Sequence, residues 1–395
     1  MRVNTLRTTL DEQLRTTFAE FARANSVQDV ISGSDKTIVI DKHIPNLLAV
    51  SPHIDLTTTK AYKSGQIILQ DKASCFPAYL LSPDPEEGDV IDACAAPGNK
   101  TTHAAAILAQ GCAEGKVIAC EKDALRSQTL EKMTRLAGGE GRITVKAKQD
   151  FMKLDPTNKE FANVTALLLD PSCSGSGIVG REEGGITVHL PSTTQLSDSQ
   201  AASKGKKRKR EKPDATKAPN ASSSTQGTDQ ENAMTEQQPL ETEDSQKLAS
   251  RLTNLSAFQL RLLQHAMAFP AARRITYSTC SIHAEENEHV VVKALLSPVA
   301  KERGWWVLRR DEQVDGMQRW QKRGWQEACV DATSELDPKE VSQSCIRCEK
   351  GDGEGTMGFF VAGFVRDECA AGGETGNRVM NGDADDEEEW EGFED

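Results

Sequence analysis

The chain has 395 residues, 37% hydrophobic and 27% charged, enough for one large domain or two smaller ones. Its net charge is −13, yet nine of the thirteen residues from Asp383 to Asp395 are acidic, which leaves the remainder near −4 (−13 relieved of nine negative charges) and neither excludes nor announces a nucleic-acid partner. No run of about 18 apolar residues is present, which excludes a membrane-spanning helix, and ten cysteines scattered along the chain point to free thiols in a reducing compartment.

In chain order, RVNTL reads as a strand and LDEQLRTTFAEFARAN as a helix, with Leu14, Phe18 and Phe21 at helical spacing. TIVI, LLAV and QIILQ are further short strands. The first strand lies so close to Met1 that an N-terminal piece is expected to be missing. QDKASCFPAYLL reads as a helix start packing on a sheet, with Gln70 and Asp71 placed toward the site. From Gly88 the pattern changes: DVIDACAAPGNKTTHAAAILAQ is strand, small-residue loop and helix, and KVIACEKDALRSQTLEKMTRL repeats strand, acidic residue and helix. ITVKAKQDF is a strand ending in Asp150, and VTALLLDPSCSGSG an apolar strand ending in Asp170. Strands alternating with helices predict βαβ units and a parallel sheet.

Residues 192–249 are rich in Ser, Thr, Gln, Lys and Glu and predict a disordered insert within one domain, because βαβ patterning resumes after it. Its basic run KGKKRKREKP, residues 204–213, suits nuclear import or RNA contact. LTNLSAFQLRLLQHAMAF is an amphipathic helix, RITYSTC a strand, EENEHVVVKALL a helix, and WWVLRR and GFFVAGFV late strands. Residues 367–395 form a disordered acidic tail.

The chemistry concentrates at strand ends, where open α/β sheets place ligands. In DACAAPGNKTT, residues 92–102, small residues let the backbone approach a ligand, and the following helix N-terminus offers free N–H groups. Glu121, at a strand end, suits two ribose hydroxyls; Asp150 suits an adenine amine; Asp170 ends the fourth strand. The set describes a nucleoside-cofactor site. Cys173 and Cys280 each follow a sheet strand, 107 residues apart in sequence, so adjacent strands would bring both over one crevice. A thiolate adding to carbon 6 of a pyrimidine makes carbon 5 nucleophilic, and a second cysteine can assist release after group transfer. Asp170 is placed to hold the cytosine edge and Lys100 to add positive charge.

DACAAPGNKTT, LLLDPSCSGSG and TYSTCSIHAEENE together resemble the motifs of the Nop/Sun family of RNA cytosine-carbon-5 methyltransferases, whose bacterial relative is called RsmB or Fmu. DPSCSGSG, YSTCSIH and LQDKASCFPA resemble its eukaryotic large-subunit rRNA (Rcm-type) branch. The resemblance covers roughly residues 1–190 and 250–366. It implies a Rossmann-like doubly wound α/β methyltransferase sheet over residues 66–366, behind a remnant, residues 1–65, of a small α+β (RRM-like or ferredoxin-like) module. It implies S-adenosylmethionine held by Cys94, Ala95, Ala96, Pro97, Gly98, Asn99, Lys100, Glu121, Asp150 and Asp170. Cys280 is the implied nucleophile and Cys173 the implied release cysteine. The implied partner is large-subunit rRNA or a pre-ribosome in the nucleolus, met by a monomer. The family's longer N-terminal region is not seen in this sequence, and part of its RNA-binding surface with it.

Other signals favour structure over chemistry. Cys345 and Cys348 make half a zinc motif with no second half, and read as loop cysteines. At least two of Trp305, Trp306, Trp320 and Trp325 belong in the core. His283 and His289 read as helix-surface residues, and Glu285, Glu286 and Glu288 as complements of a helix dipole. Three rival functions remain: an rRNA-binding assembly factor whose methylation is dispensable, a tRNA-directed enzyme of the same chemistry, and a nucleotide-dependent oxidoreductase, against which the cofactor loop lacks the glycine pattern.

Overall fold

The computed structural model describes residues 1–33, 36–83, 88–111, 115–178 and 243–366. The basic run 204–213, most of the expected insert and the acidic tail lie outside the described residues.

The N-terminal part is built of short elements: β1 (Arg2–Val3), α1 (Leu10–Arg15), β2 (Ala22–Arg23), α2 (Val27–Ser32), β3 (Thr37–Ile40), β4 (Leu48–Val50), α3 (Lys60–Lys63) and β5 (Ile67–Ile68). β1 pairs antiparallel with β5, while β3 lies between a parallel β2 and an antiparallel β4. Val3, Phe18, Ile38, Leu48, Tyr62 and Ile67 form its core. α1 is shorter than the spacing predicts. Its end is set by hydroxyls: Thr16 donates to the Glu12 carbonyl at 2.7 Å and Thr17 to Gln13 Oε1 at 2.7 Å. Such local bonds compete with the helix ladder. The chain turns there, and Phe18 still reaches the core with Phe21 edge-on at 5.1 Å.

The first residues also join the two parts. Asn4 Nδ2 donates to the carbonyls of Gly65 (2.7 Å) and Ala137 (2.9 Å). The buried Arg2 guanidinium donates through Nε to Gln70 Oε1 (2.8 Å) and through Nη2 to Thr102 Oγ1 (2.9 Å) and the Asn99 carbonyl (3.4 Å). Burial pulls its pKa down to about 10. Gln70 is thereby committed to Arg2, and the orientation of Gln70 and Asp71 toward the site is not found: neither lines the cavity described below.

The larger part runs α4 (Lys72–Leu81), β6 (Asp89–Asp92), α5 (Asn99–Leu108), β7 (Val117–Glu121), α6 (Ala124–Leu136), β8 (Ile143–Ala147), β9 (Val164–Leu169), α7 (Glu243–Met267), β10 (Arg274–Thr279), α8 (Glu288–Leu295), α9 (Pro298–Arg303), β11 (Trp306–Val307), α10 (Asp315–Gln318), α11 (Pro338–Ser344), β12 (Ile346–Cys348) and β13 (Phe359–Val365). The sheet order is β11-β13-β10-β9-β6-β7-β8, with β12 on β13. β8, β7, β6, β9 and β10 are mutually parallel, and β13 is antiparallel to β10. β9 is buried along its whole length, as a central parallel strand covered on both faces must be. Its Leu167 and Leu169 meet Leu262, Leu263 and Met267 of α7, while Ala166 and Leu168 face Ala104 and Leu108 of α5 and Leu81 of α4. The chain steps from β6 outward through β7 and β8, then returns on the other side of β6 as β9. That reversal opens a crevice at the strands' carboxyl ends.

Several expectations are corrected. α7 begins at Glu243, inside the stretch 192–249 expected to be disordered. Cys345 and Cys348 are not loop cysteines: Cys345 ends α11, Cys348 ends β12, and both are buried. Trp305 and Trp320 are core residues, as expected, whereas Trp325 is 39% exposed with its ring on the Arg347 guanidinium at 3.6 Å. Glu286 and Glu288 do not serve a solvated helix dipole, because both are fully buried. Glu288 accepts from Arg347 Nε (2.7 Å) and Nη2 (2.6 Å), and from the Trp325 amide (3.0 Å). Among the described residues no helix is long and apolar enough to cross a membrane, and no acid, histidine and cysteine group could hold a metal ion.

Two stability effects follow. Removing one partner of a buried bidentate pair strands the other charge, so Glu288→Ala should lose about 3–5 kcal/mol in urea unfolding. A loss below about 1 kcal/mol, the range of surface pairs, would show that the pair is solvated. β6 ends in Asp92, buried and accepting from Thr101 Oγ1 at 2.7 Å, and burial pushes its carboxyl up to about 6. The native state then holds this proton at a pH where the unfolded chain has released it, so Asp92 costs stability as pH rises from about 4 to about 6. Asp92→Asn should remove that cost. The stability difference between variant and wild type should move in the variant's favour by about 2 kcal/mol between pH 4 and pH 7; a difference independent of pH would refute it.

Candidate active site

The crevice is a cavity of about 590 Å³ at the carboxyl ends of β6, β7 and β9, closed on one side by Phe258 and Leu262 of α7. Backbone bonds hold its floor: the Ala93 amide donates to Leu168 and the Ala95 amide to Cys120, both at 3.0 Å. Gly98 sits at φ +112°, a left-handed conformation, and a Cβ there would meet Met133 Cγ at 3.0 Å and Leu130 Cδ1 at 3.1 Å. The loop can therefore turn tightly into α5.

Cys94, Ala96, Pro97 and Asn99 line the cavity; Ala95 and Gly98 lie behind it and Ala95 packs on Ala119 and Leu130. Glu121, Asp150 and Asp170 all reach it. The Glu121 carboxylate is buried, accepts from the Asp123 amide (2.8 Å) and faces Arg126 Nη2 at 3.4 Å. Asp150 is not the end of its strand. β8 stops at Ala147, where Lys148 at φ +59° turns the chain, and Asp150 caps a short 3₁₀ turn through the Met152 amide at 3.0 Å. Asp170 accepts from Ser278 Oγ (2.7 Å) and pairs with Lys100 Nζ at 2.8 Å. Lys100 does not line the cavity itself. Burial pulls its pKa down, but Asp170 outweighs that, and the net shift is upward, so the cation persists.

Cys173 and Cys280 line the end of the same cavity, and their sulfurs are 3.0 Å apart. The contact arises from register: β9 and β10 are parallel with Leu169 opposite Tyr277, and each cysteine lies just beyond its strand. The hydrogen bond to Cys280, then burial, pushes the Cys173 thiol far up. Either sulfur can donate in this contact. Cys94 and Cys120 also line the cavity, but burial pushes both thiols up, Cys120 to about 12, so neither is a nucleophile at neutral pH. Sequence reasoning missed Arg126, Gln149, Phe258 and Leu262 as lining residues. The last two sit one helical turn apart on α7, a spacing that signals a buried face without saying what it covers.

A family model described as 16S rRNA methyltransferase RsmB/F matches residues 78–194, and one described as the ferredoxin-like domain of NOL1/NOP2/Sun domain family member 5 (NSUN5) matches residues 1–70. The 25S rRNA (cytosine-C(5))-methyltransferase rcm1 of Schizosaccharomyces pombe is 36% identical over 363 residues, 92% of this chain and 62% of that one. The 28S rRNA (cytosine-C(5))-methyltransferase of Mus musculus is 32% identical, covering 93% of this chain and 62% of that one. The 26S rRNA (cytosine-C(5))-methyltransferase nsun-5 of Caenorhabditis elegans is also 32% identical, covering 92% and 66%. The chain thus spans a little under two thirds of the length of these relatives. Among solved structures, a methyltransferase homolog protein from Pyrococcus horikoshii superposes with a TM-score of 0.55 at 19% identity, covering 92% of this chain and 85% of that one. NSun6 from the same organism, solved with SFG, gives 0.50 at 14% identity, covering 92% and 89%. The doubly wound sheet is accordingly a methyltransferase fold behind a ferredoxin-like domain, and the chain is similar to the RsmB/F methyltransferases over residues 78–194 and to the NSUN5 ferredoxin-like domain over residues 1–70.

Proposed function

We propose that this chain is an S-adenosylmethionine-dependent RNA methyltransferase that acts on carbon 5 of a cytosine in large-subunit rRNA. It acts as a monomer on pre-ribosomal RNA in the nucleolus, with residues 1–65 as the RNA-facing module and residues 66–366 as the methyltransferase domain. The observation that carries the reading is the pair of thiols 3.0 Å apart on the same cavity as the small-residue loop. The rRNA class rests on the printed activities of the relatives.

The cavity's donor set fits the cofactor. Asn99 Oδ1, on the wall at the start of α5, is buried without a partner among the described residues. Glu121 would take the ribose hydroxyls, Asp150 the adenine amine, and the Cys94–Lys100 segment with Asp170 the remainder. When bound, S-adenosylmethionine supplies an electrophilic methyl group. The chain's own residues prepare the acceptor. Cys280 Sγ, as the thiolate, bonds to carbon 6, and the ring's electron density moves toward carbon 5. Asp170, fixed by Lys100 and Ser278, holds the cytosine edge as charge builds. In release, the proton on carbon 5 passes to solvent, its bonding pair re-forms the carbon 5–carbon 6 double bond, the carbon 6–sulfur bond breaks, and that bond's electron pair returns to Cys280. Cys173, as donor to that sulfur, stabilises the departing thiolate.

Cys280→Ala should lower methylation by more than about a thousandfold while leaving cofactor binding intact. Cys173→Ala, expressed in its own cells, should run on a denaturing gel as a slow band that ribonuclease removes, and Cys280→Ala in the same chain should abolish it. Sequencing the attached RNA should return large-subunit rRNA. A folded, cofactor-binding Cys173→Ala protein with no such band would overturn the covalent reading.

A further inference from the structure

We infer that Gln259, Glu286 and Asn287 are positioning residues that hold the two cysteines: Gln259 and Glu286 fix the peptides on either side of Cys173, and Asn287 fixes those on either side of Cys280. This rests on the roles proposed above for the two thiols.

Around Cys173, the Ser172 carbonyl accepts from Gln259 Nε2 at 3.0 Å, and the Ser174 amide donates to Glu286 Oε1 at 3.0 Å and Oε2 at 3.2 Å. Gln259 Nε2 also donates to Glu286 Oε1 at 2.9 Å, so one buried pair grips both neighbouring peptides. The orientation of the Gln259 amide is set by its partners: the nitrogen faces two acceptors, and Oε1 accepts from Tyr277 Oη at 3.2 Å. Gln259 and Glu286 are both fully buried. Among the described residues the partners of the Glu286 carboxylate are amides rather than a cation. A buried carboxylate without a cation is an expensive way to pack a loop, and apolar side chains would fill the space more cheaply. What the carboxylate adds is direction, since its two oxygens fix a single amide.

Around Cys280 a second set of bonds acts, and two contacts join it to the first loop: the Gly177 amide donates to the Cys280 carbonyl at 2.9 Å and Ser174 Oγ donates to Ser281 Oγ at 3.1 Å. Thr279 Oγ1 donates to Asn287 Oδ1 at 2.6 Å, and Asn287 Nδ2 donates to the Ser281 carbonyl at 3.0 Å. The Ser281 amide returns to Thr279 Oγ1 at 3.2 Å. Asn287 is fully buried. Glu286 and Asn287 are consecutive, so one short turn, 3₁₀ over Ala284–Glu286, sets both thiols against each other. Attack on a ring carbon requires reacting atoms within about 3–3.5 Å, and a misplacement of about 1 Å costs up to about a hundredfold. Loosening one side should slow the step that the corresponding cysteine performs and leave the other step running.

The test measures RNA adduct on denaturing gels and methylation in the full chain, with folding checked by thermal melting and cofactor binding by calorimetry. Gln259→Leu frees the Cys173 side. It should raise the adduct carried by an otherwise unaltered chain on the order of tenfold while methylation falls, because release stalls. Asn287→Ala frees the Cys280 side. In the Cys173→Ala background it should lower the adduct on the order of tenfold, because addition stalls. A purely structural role would move the adduct the same way in both, and that result would overturn the inference. Should either variant fail to fold, Gln259→Met and Asn287→Asp, which keep side-chain length, are read by the same signs. Absence of adduct from Cys173→Ala alone would sink the proposed covalent chemistry; adduct from it, with Gln259→Leu and Asn287→Ala shifting in one direction, would sink only the positioning roles.

Discussion

β9 and β10 lie side by side in parallel, Leu169 against Tyr277; β9 ends four residues before Cys173 and β10 ends immediately before Cys280. The 3.0 Å contact between Cys173 and Cys280 follows from that register and cannot survive its loss. A slip of one residue would turn every buried side chain of a strand to the opposite face. Here that would exchange Leu167 and Leu169, packed on α7, for Ala166 and Leu168, packed on α4 and α5. The two faces are filled by different sets of helices, so the apolar core enforces the register, and the register in turn places the sulfurs. The meeting of the two sulfurs is thus a consequence of ordinary close packing.

Charge is then distributed around that frame in buried pieces. Asp170 is matched by Lys100, and Glu288 by Arg347, both at direct ion-pair distance. Among the described residues Glu286 is matched by amides, and Asp92 by the Thr101 hydroxyl and the Cys94 amide. The matched pairs join elements far apart in sequence. The amide-bound carboxylates fix short loops. Pairing therefore secures the architecture where a cation is present, and local geometry where it is not.

Much of this was legible before any coordinates. Strand ends were visible because apolar runs break at Asp92, Glu121 and Asp170, and the cysteine loops because Ser and Gly surround the thiols. The limits are equally physical. Whether an acid is solvated or buried depends on what meets it, and the partner of Glu288 lies 59 residues away, so EENE read as a surface helix start. α1 looked longer because apolar spacing carries no information about Thr16 turning its hydroxyl on the Glu12 carbonyl and Thr17 on the Gln13 side chain. Asp150 seemed a strand end because a positive φ at Lys148 is not signalled by lysine. Cys345 and Cys348 suggested a metal half-site, but an Ile-Arg pair between them forms an edge strand on β13.

Arg2 places the ferredoxin-like domain in the same structural unit as the crevice. Its guanidinium reaches Gln70 in one direction and Asn99 and Thr102 in the other, the last two on the first turn of α5. The domain cannot lift away without stranding a buried cation and freeing the helix that begins at the cofactor loop. Local opening of the two regions is thus one cooperative event rather than two.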